Sequence, residues 1–312
     1  MKAIRFHSTG GPEVLRLEDI ATPEPSAGEV RVRVAASAFN AADAGIRAGT
    51  LPIPAVLPHV PGYDVSGFVD AIGEGVEGFT RGDAVIGFLS MTDDGGAAEY
   101  VVTPATALVA APRTIAAEDA AALPSVSLTA WQALFDDAGL VEGQRALIVG
   151  AGGAVGGHAI RLAKHAGAHV IATASPRSRS SVEASGADEV IDHTTHALSA
   201  ALTAPVDVLL NLAPIEPSAF AELVEHVRDG GVVVSTTAWM PTPGDEARNV
   251  RAATVFVRAD TERLARIVAL VDDGTLRVEV ERRVALDELP EIHRQASLGE
   301  LRGKVVVIPA QQ

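Results

Sequence analysis

The sequence predicts an α/β fold in which a domain built on a doubly wound parallel sheet is inserted into a β-rich, barrel-like domain. Residues 1–110 alternate apolar and polar side chains, which is typical of strands with one solvent-exposed face. From about residue 115, short apolar runs alternate with segments of helical spacing, and such alternation favours a parallel sheet. After about residue 275, short strand-like runs return.

In the first domain, period-two alternation predicts strands over residues 2–6, 14–18 and 30–34. Glycine and proline are dense between and after these runs, as at Pro61 and its neighbour, and they mark turns and loops. A short helix is predicted over residues 41–47. The first domain is therefore expected to be barrel-like, with long loops.

The second domain is expected to begin with helices over residues 116–123 and 125–136, with Pro124 as the break between them. Strand and helix then alternate. The predicted strands cover residues 145–149, 169–174, 189–191, 206–210, 231–236 and 254–257, and the predicted helices cover residues 154–166, 177–185 and 217–228. The runs at 206–210 and 231–235 are largely apolar, as expected of strands covered on both faces.

The last part of the chain returns to the pattern of the first. A helix is predicted over residues 261–271, followed by strands over 277–284 and 304–308. Between these strands a helix is expected to begin at Asp287, a residue type that often caps helix N-termini. The predicted domains are residues 1–115 with 275–312, and residues 116–274.

A glycine-rich loop joins the strand at 145–149 to the helix after it. Glycine tolerates positive φ and lets a ligand approach the backbone, while free N–H groups at a helix start attract anions. The strict Gly-x-Gly-x-x-Gly spacing is not met, because Val155 takes the last position; Gly150, Gly153 and Gly156 recur every third residue instead. A structural turn is one interpretation, and a dinucleotide-phosphate cradle is the other.

The segment after the next strand favours the cradle, and a phosphorylated dinucleotide in it. The segment carries Ser175, Arg177 and Arg179, and no Asp or Glu occurs between Gly150 and Ser181. A carboxylate there would bind the ribose 2′-hydroxyl of NAD, whereas arginine accommodates the 2′-phosphate of NADP with matching geometry. NADPH is therefore the predicted cofactor, and a solvated basic turn is the alternative.

Composition disfavours several other classes. The 312 residues fit two domains, and the formal net charge of −15 disfavours binding to nucleic acid or to an anionic membrane. The absence of cysteine removes disulfides, thiol nucleophiles and thiolate zinc ligands. No apolar run reaches the length of a membrane span, and the N-terminus does not resemble a signal peptide. A cytoplasmic location is expected.

Several motifs in register resemble those of the medium-chain dehydrogenase/reductase superfamily, specifically its zinc-free quinone oxidoreductase, or zeta-crystallin-like, branch. They lie at residues 32–43, 61–67, 82–85, 95–100, 128–130, 150–156, 186–188 and 302–306. The resemblance implies a GroES-like catalytic domain and a Rossmann NADP-binding domain. It also implies an NADPH-dependent reductase of a quinone or an α,β-unsaturated carbonyl, and a homodimer formed through the edge strand of the nucleotide domain.

Zinc-dependent relatives have a cysteine near position 38 and a His-Glu pair at positions 63 and 64. Here these positions hold Ala38, Tyr63 and Asp64. The resemblance therefore implies no bound metal and disfavours alcohol dehydrogenase chemistry, which needs a Lewis acid. His59 and Asp64 are the alternative metal pair, although a loop histidine beside a proline is expected to be solvated.

The resemblance assigns the catalytic positions to Asn40, Asp43 and Tyr63. Asn40 and Asp43 match polar positions in the substrate cleft, and a turn cap is the alternative role for both. Tyr63 is either a proton donor to the product or a packed loop residue, with water as the other proton source. The acceptor is expected to be selected by residues 45–58 and 239–252.

For the cofactor, the resemblance places Thr129 near the nicotinamide, with helix capping as its alternative role. It also implies that the N–H groups of Ala154 and Val155 face the pyrophosphate. His193 falls near the adenine, and Asn211 stands where an acidic residue is common. The predicted cofactor-binding residues are Thr129, Gly150, Gly153, Ala154, Val155, Gly156, Ser175, Arg177, Arg179, His193, Asn211, Phe256 and Val257.

Two other nucleotide-binding classes are disfavoured. A short-chain reductase needs Tyr-x-x-x-Lys, but Gly67 follows Tyr63 at that spacing and Pro104 follows Tyr100. A methyltransferase normally has a carboxylate after the second strand, and none is present. A non-catalytic NADPH-binding redox sensor or structural protein stays open, since one fold supports many functions.

Overall fold

The computed structural model describes residues 1–195, 198–237 and 240–309. Residues 310–312 of the predicted first domain and residue 239 of the predicted acceptor segment lie outside the described residues. The chain divides into two compact units. The first unit is Met1–Ser125 with Ala259–Gln312, and the second is Val126–Arg258.

The first unit begins with strands and two short helices. They are β1 (Lys2–Arg5), β2 (Arg16–Asp19), β3 (Glu29–Ala38), α1 (Ala41–Ala48), β4 (Asp64–Ile72), β5 (Ala84–Phe88), β6 (Tyr100–Pro104), β7 (Leu108–Ala110) and α2 (Ala117–Ala120). The helix predicted over residues 41–47 is confirmed as α1. The helix predicted over 116–123 is shorter than expected, because the chain turns again before Pro124.

The second unit alternates strands and helices, as predicted. The helix α3 (Pro124–Trp131) leads into this unit, its first two residues belonging to the first unit. The other elements are a π-helical continuation of α3 (Gln132–Asp137), β8 (Arg145–Val149), α4 (Ala154–His165), β9 (His169–Ala174), α5 (Arg179–Ala184), β10 (Glu189–Asp192), α6 (Leu198–Ala201), β11 (Val206–Asn211), α7 (Pro217–Glu225), β12 (Val227–Ser235) and β13 (Arg251–Thr254).

The chain then returns to the first unit. Its last elements are α8 (Thr261–Asp272), β14 (Arg282–Ala285), a 3-10 turn (Leu286–Glu288), α9 (Leu289–Ser297) and β15 (Val305–Ile308). Throughout the part of the chain that the structure describes, no helix combines the length and apolar character needed to cross a membrane.

The main sheet of the first unit has the strand order β14–β15–β3–β4–β5–β7, and β6 also pairs with β3. Neighbouring strands are antiparallel except for β14 and β15. Alternate residues of these strands, such as Val32 and Val69, form a buried core. Strands from both ends of the chain therefore share this sheet, which confirms the prediction that the two ends contribute to one β-rich domain.

The sheet of the second unit has the strand order β10–β9–β8–β11–β12–β13, and every neighbouring pair is parallel. Counted from β8, this is the 3-2-1-4-5-6 order of the Rossmann fold. Central residues such as Leu209 and Val233 are fully buried, as expected of strands covered on both faces. The predicted α/β fold with a doubly wound parallel sheet is therefore confirmed.

The last strand of the second unit lies earlier than the predicted 254–257. β13 pairs with β12 in a ladder that ends where Thr254 is opposite Ser235. Val255 still donates its N–H to the Ser235 carbonyl oxygen, and the chain then leaves the sheet. The apolar Val255 and Phe256, which suggest a strand in the sequence, therefore follow the strand instead of forming it.

Two predictions near the C-terminal helix are also wrong. Helix α9 begins at Leu289 and not at Asp287, because a 3-10 turn precedes it. In that turn Glu288, and not Asp287, accepts a hydrogen bond from the Ala285 N–H, at 2.8 Å. The strand predicted over residues 277–284 is limited to β14, which pairs in parallel with β15.

Helix α8 belongs to the first unit, although the sequence assigns it to the second. The Asp272 carboxylate at the end of α8 accepts hydrogen bonds from the Arg113 N–H at 2.7 Å and from the Thr114 hydroxyl at 3.1 Å. The helix also packs against β7. The division therefore falls after Ser125 and before Ala259, and not at residues 115 and 275.

Candidate functional site

The glycine loop between β8 and the start of α4 leaves no room for a side chain at Gly150 or at Gly156. Gly150 has a φ of +78°, and a Cβ atom built on it would lie 2.7 Å from the Ala213 Cβ. A Cβ atom on Gly156 would overlap the Ala151 carbonyl oxygen. The first position needs glycine for its left-handed backbone, and the second needs it for close packing of the helix start.

The same loop leaves an open surface at the start of α4. Gly153 is the N-cap of this 12-residue helix. Of the described part of the chain, a Cβ atom there would meet only the Gly150 carbonyl oxygen within 4 Å, at 3.5 Å. Ala154 and Val155 follow it and are half-buried. Because the first N–H groups of a helix have no partner within it, this surface fits a pyrophosphate.

The glycine loop stands at the switch point of the sheet. β8 and β11 lie side by side, and the chain leaves them towards opposite edges. Ligands of open parallel sheets bind outside the carboxyl ends of the strands at such a point. The chain after β11 stays close, since the Leu212 N–H donates to the Val149 carbonyl oxygen at 2.9 Å.

The turn after β9 lies against the glycine loop. A Cβ atom on Gly152 would come within 2.5 Å of Ser178 Oγ, and this oxygen accepts a hydrogen bond from the Ser175 N–H at 3.1 Å. The Gly150 N–H donates to Thr173 Oγ1 in β9 at 2.9 Å. The structure thus brings together two predicted parts of the cofactor site, the glycine loop and the Ser175 turn.

The two predicted phosphate-binding arginines have different surroundings. Arg177 is exposed, and its guanidinium makes no hydrogen bond or ion pair with the residues that the structure describes. Arg179 donates to Glu183 Oε1 at 2.9 Å and to the Val190 carbonyl oxygen at 3.3 Å. Arg177 is therefore the arginine whose donors are available to a phosphate.

Four other predicted cofactor residues lie elsewhere in the second unit. His193 is exposed, and its backbone N–H donates to the Ala174 carbonyl oxygen at 3.2 Å, which puts it beside the end of β9. Thr129 is half-buried in α3. Phe256 is 46% exposed after β13, and Val257 is half-buried.

The side chain of Asn211, at the end of β11, makes its hydrogen bonds to residues of the second unit. Its side chain is fully buried. Its Nδ2 donates to Ser235 Oγ at 3.3 Å, and its Oδ1 accepts from the Ala213 N–H at 3.4 Å. This placement does not favour the predicted side-chain contact with a cofactor, because both ends of the carboxamide shape the end of the sheet.

A polar cluster occupies the place in the first unit where three strands meet. Ala38 at the end of β3 pairs with Asp64 at the start of β4 and with Val306 near the start of β15. Asn40 follows β3 and Lys304 precedes β15, so both side chains reach Asp64. We call this group the Asn40 cluster; its members are Asn40, Asp64, Ser125 and Lys304.

Hydrogen bonds connect every member of the Asn40 cluster. Lys304 Nζ donates to Asp64 Oδ2 at 2.8 Å and to Asn40 Oδ1 at 2.5 Å. Asp64 also accepts from the Ser125 N–H and hydroxyl, at 2.8 and 2.6 Å, and from Asn40 Nδ2 at 3.0 Å. Asn40 is half-buried, whereas the other three are buried. The cluster can therefore meet a ligand through Asn40.

Asp43 holds the backbone around Asn40. Its carboxylate accepts from the Asn40 N–H at 2.8 Å, capping α1, and from the Gly62 N–H at 2.7 Å. The side chain is 1% exposed. Burial raises the pKa of Asp43 to about 7, although these two N–H groups act in the opposite direction. The two predicted roles of Asp43 are a polar residue of the substrate cleft and a turn cap. The geometry shows the second, a cap at the start of α1.

Tyr63 is packed in the core of the first unit. Its side chain is 1% exposed and its hydroxyl lies 2.8 Å from His59 Nε2. Burial raises the pKa of the Tyr63 hydroxyl. These features favour the packed-loop alternative over the proton donor. The expectation of a solvated His59 is wrong, since its ring is also buried against Phe6, with ring centroids 5.4 Å apart.

Ser125 and Lys304 are not recognisable as functional residues from the sequence. Lys304 lies in the motif at 302–306 and Asp64 in the motif at 61–67. The opposite charges of these two residues are the sequence feature that could have suggested their contact. A lysine beside a buried strand normally needs a carboxylate partner. Which carboxylate it meets depends on the register of β15 against β3, which the sequence does not reveal.

Comparisons with known proteins agree with this architecture. The family model "Alcohol dehydrogenase GroES-like domain" matches residues 26–113, and "Zinc-binding dehydrogenase" matches residues 185–307. A chloroplast envelope quinone oxidoreductase homolog from Arabidopsis thaliana is 32% identical to this chain, and the match covers 99% of this chain and 98% of the relative.

Solved structures give the same result. A quinone oxidoreductase from Coxiella burnetii is 31% identical with a TM-score of 0.88, and it covers 99% of both chains. A structure described as an NAD-dependent alcohol dehydrogenase is 32% identical with a TM-score of 0.90, again over 99% of both chains. The chain therefore belongs to the medium-chain dehydrogenase/reductase superfamily. It is an oxidoreductase with a GroES-like domain and a Rossmann-type sheet.

The family name "Zinc-binding dehydrogenase" implies a zinc ion. The candidate ligands in the first unit, Asp64 and His59, do not fit one. The Asp64 carboxylate is paired with the Lys304 ammonium at 2.8 Å and also accepts from Asn40 and Ser125. His59 is paired with Tyr63. Protein zinc sites draw their ligands from Cys, His and carboxylate side chains. Within residues 1–195, 198–237 and 240–309, no three such side chains are grouped closely enough to hold a metal.

Proposed function

We propose that the chain is a zinc-independent, NADPH-dependent reductase that transfers hydride to a quinone or to an α,β-unsaturated carbonyl. The observation that carries this proposal is an open glycine loop beside an exposed Arg177, which has no partner among the described residues. The quinone oxidoreductase names of similar proteins support the acceptor class.

The second unit would hold the cofactor through its backbone and its basic turn. The N–H groups of Ala154 and Val155 would bind the pyrophosphate at the helix start. Arg177 and Ser175 would bind the 2′-phosphate, and the absence of Asp and Glu from this turn removes a repulsive charge. NADPH, when bound, supplies the hydride.

The first unit would supply a hydrogen-bond donor to the acceptor. Addition of hydride to a quinone or an enone moves negative charge onto a carbonyl oxygen, and a donor aimed at that oxygen lowers the barrier. Asn40 presents a carboxamide at a half-buried position. Water is the proton source that this proposal favours, because the Tyr63 hydroxyl is buried and bonded to His59.

Steady-state oxidation of NADPH tests the proposal. With 1,4-benzoquinone and with a small enone as acceptors, we expect turnover with a higher kcat/KM for NADPH than for NADH. Tight NADPH binding without turnover on a broad panel of acceptors would contradict the proposal and support a non-catalytic redox sensor.

We also propose a homodimer formed through the sheet edge of the second unit. β13 is the terminal strand of that sheet, and most of its residues are exposed. An edge strand carries backbone N–H and C=O groups ready to pair with another strand. Sedimentation equilibrium is expected to give twice the monomer mass; a monomer mass at micromolar concentration would contradict this assignment.

A further inference from the structure

The Asn40 cluster contains a buried charge pair that packing alone does not explain. Lys304 is 4% exposed and Asp64 is 0% exposed. Removing two charges from water costs free energy that their mutual attraction often fails to recover, so a buried ion pair is weak evidence for a stabilising role. Such pairs can instead fix one arrangement of their neighbours.

The neighbour whose arrangement is fixed is Asn40. An ammonium group donates hydrogen bonds and cannot accept them. The 2.5 Å contact with Lys304 Nζ therefore requires that the carboxamide oxygen, Oδ1, faces the lysine. The Ser125 hydroxyl lies 3.0 Å from the same oxygen. The opposite orientation would place two sets of N–H donors against each other.

This orientation leaves a donor on Asn40 available. Its Nδ2 carries two N–H groups. One donates to Asp64 Oδ2 at 3.0 Å. Among the residues that the structure describes, the other has only a contact at the outer limit of hydrogen bonding, 3.5 Å from the Ala38 carbonyl oxygen. Asn40 is also the half-buried member of the cluster. One N–H of its carboxamide is thus weakly used at an accessible position.

We propose that Lys304 is a positioning residue: it orients the Asn40 carboxamide so that an N–H group points to the carbonyl oxygen of the acceptor. The positive charge on Lys304, next to Oδ1, also increases the polarity of that N–H. Asp64 balances this charge and holds the other N–H. This inference rests on the proposed function, since the acceptor is the quinone or enone proposed above.

The test must avoid leaving Asp64 with an uncompensated buried charge, which would destabilise the fold. We therefore change both charged residues together, to D64N/K304M or to D64N/K304Q, and compare each with the wild type, since D64N alone would leave Lys304 as an unpaired buried charge. Methionine removes every donor, whereas glutamine keeps an uncharged N–H that can face Asn40 Oδ1. Circular dichroism and thermal unfolding confirm that each variant is folded.

We expect D64N/K304M to lower kcat for enone reduction by about tenfold or more relative to the wild type. D64N/K304Q should recover several-fold of this loss, because it restores the hydrogen bond to Asn40. Lys164→Met is the control for removing a paired lysine far from the Asn40 cluster in sequence, since Lys164 forms a partly exposed pair with Asp188 at 2.8 Å in the second unit. It should leave kcat and KM unchanged.

A double-mutant cycle identifies Asn40 as the residue through which Lys304 acts. Asn40→Ala alone should lower kcat by about ten- to a hundredfold. If Lys304 acts through Asn40, adding D64N/K304M to N40A should cause little further loss. A further loss as large as that of D64N/K304M relative to the wild type would overturn the proposal, as would equal kcat values for D64N/K304M and D64N/K304Q.

The failure of this inference can be distinguished from failure of the proposed function. If the wild-type enzyme does not oxidise NADPH with any quinone or enone, both are overturned. If the wild-type enzyme turns over but the effects of N40A and D64N/K304M are additive, the reductase activity stands and only the positioning role of Lys304 is overturned.

Discussion

Two buried titratable side chains of the first unit, Asp43 and His293, line the same small cavity beside Phe39. His293 is fully buried, and neither of its ring nitrogens has a hydrogen-bond partner among the described residues. Burial lowers the pKa of His293 to about 3 and raises that of Asp43 to about 7. The two residues therefore give opposite dependences of stability on pH.

Replacing His293 by leucine should reduce the sensitivity of the fold to acid. Below its ordinary pKa of 6.5 and down to about 3, the unfolded state binds a proton on His293 that the folded state does not, so stability falls with pH. H293L should remove up to about 1.4 kcal/mol of this dependence per pH unit. Urea unfolding at about pH 7 and about pH 5 measures it, with the exposed His165→Leu as the control. An unchanged pH dependence in H293L would contradict the burial argument.

Asp43 should act in the opposite sense. Between the ordinary value of 3.8 and about 7, the folded state holds a proton that the unfolded state has released. Its contribution to stability is present at low pH and is lost as the pH rises through this window. A carbon-13 NMR titration of the carboxyl group, assigned by its loss in Asp43→Asn, should have a midpoint near 7. A midpoint near 3.8 would contradict the raised pKa.

Replacing Arg177 by alanine should discriminate between the two cofactors. A charge-assisted hydrogen bond to phosphate contributes about 1.5–3 kcal/mol, so R177A should weaken NADPH binding by about ten- to a hundredfold and hardly affect NADH. Arg179→Ala is the matched control and should have a smaller effect, since Arg179 already pairs with Glu183. Fluorescence titrations measure both affinities. Equal losses for NADPH and NADH in the R177A/R179A variant would contradict the phosphate assignment.

At the scale of elements, α4 offers a matched pair of glycines. A Cβ atom on Gly156 would overlap the Ala151 carbonyl oxygen, whereas one on Gly157 would have Ser185 Oγ as its nearest neighbour, at 3.5 Å. Gly156→Ala should displace the helix start, destabilise the fold by about 1–3 kcal/mol and weaken NADPH binding. Gly157→Ala should keep binding and gain up to about 1 kcal/mol from helix propensity. Thermal unfolding measures the stability of the two variants, and NADPH titration measures their affinity. Equal stability and equal affinity in the two variants would contradict the close approach at Gly156.

Elements with a continuous apolar run could be predicted accurately. The predictions over residues 145–149 and 169–174 coincide with β8 and β9, because central strands of a parallel sheet are buried on both faces. β13 could not be predicted in the same way, since it is an exposed edge strand without an apolar run. The start of α9 was missed because a 3-10 turn and a helix have similar capping signals.

At the scale of the whole molecule, predictability depends on separation in the sequence. The glycine loop and the Ser175 turn lie in one continuous βαβ segment, so their proximity follows from local pattern. The first unit instead combines two segments separated by the second unit. Lys304 and Asn40 are 264 positions apart, and the pairing of β15 with β3 brings them together. The motifs were visible in the sequence, but their contact was not.

Deuterium transfer to a small enone from NADPH deuterated at both C4 positions, with enzyme treated beforehand with a metal chelator, tests the zinc-independent hydride transfer most directly. We expect mass spectrometry and NMR to find deuterium on the β-carbon of the saturated product and a solvent-derived proton on the α-carbon. A product without deuterium, or a loss of activity after chelation that added zinc restores, would contradict the account.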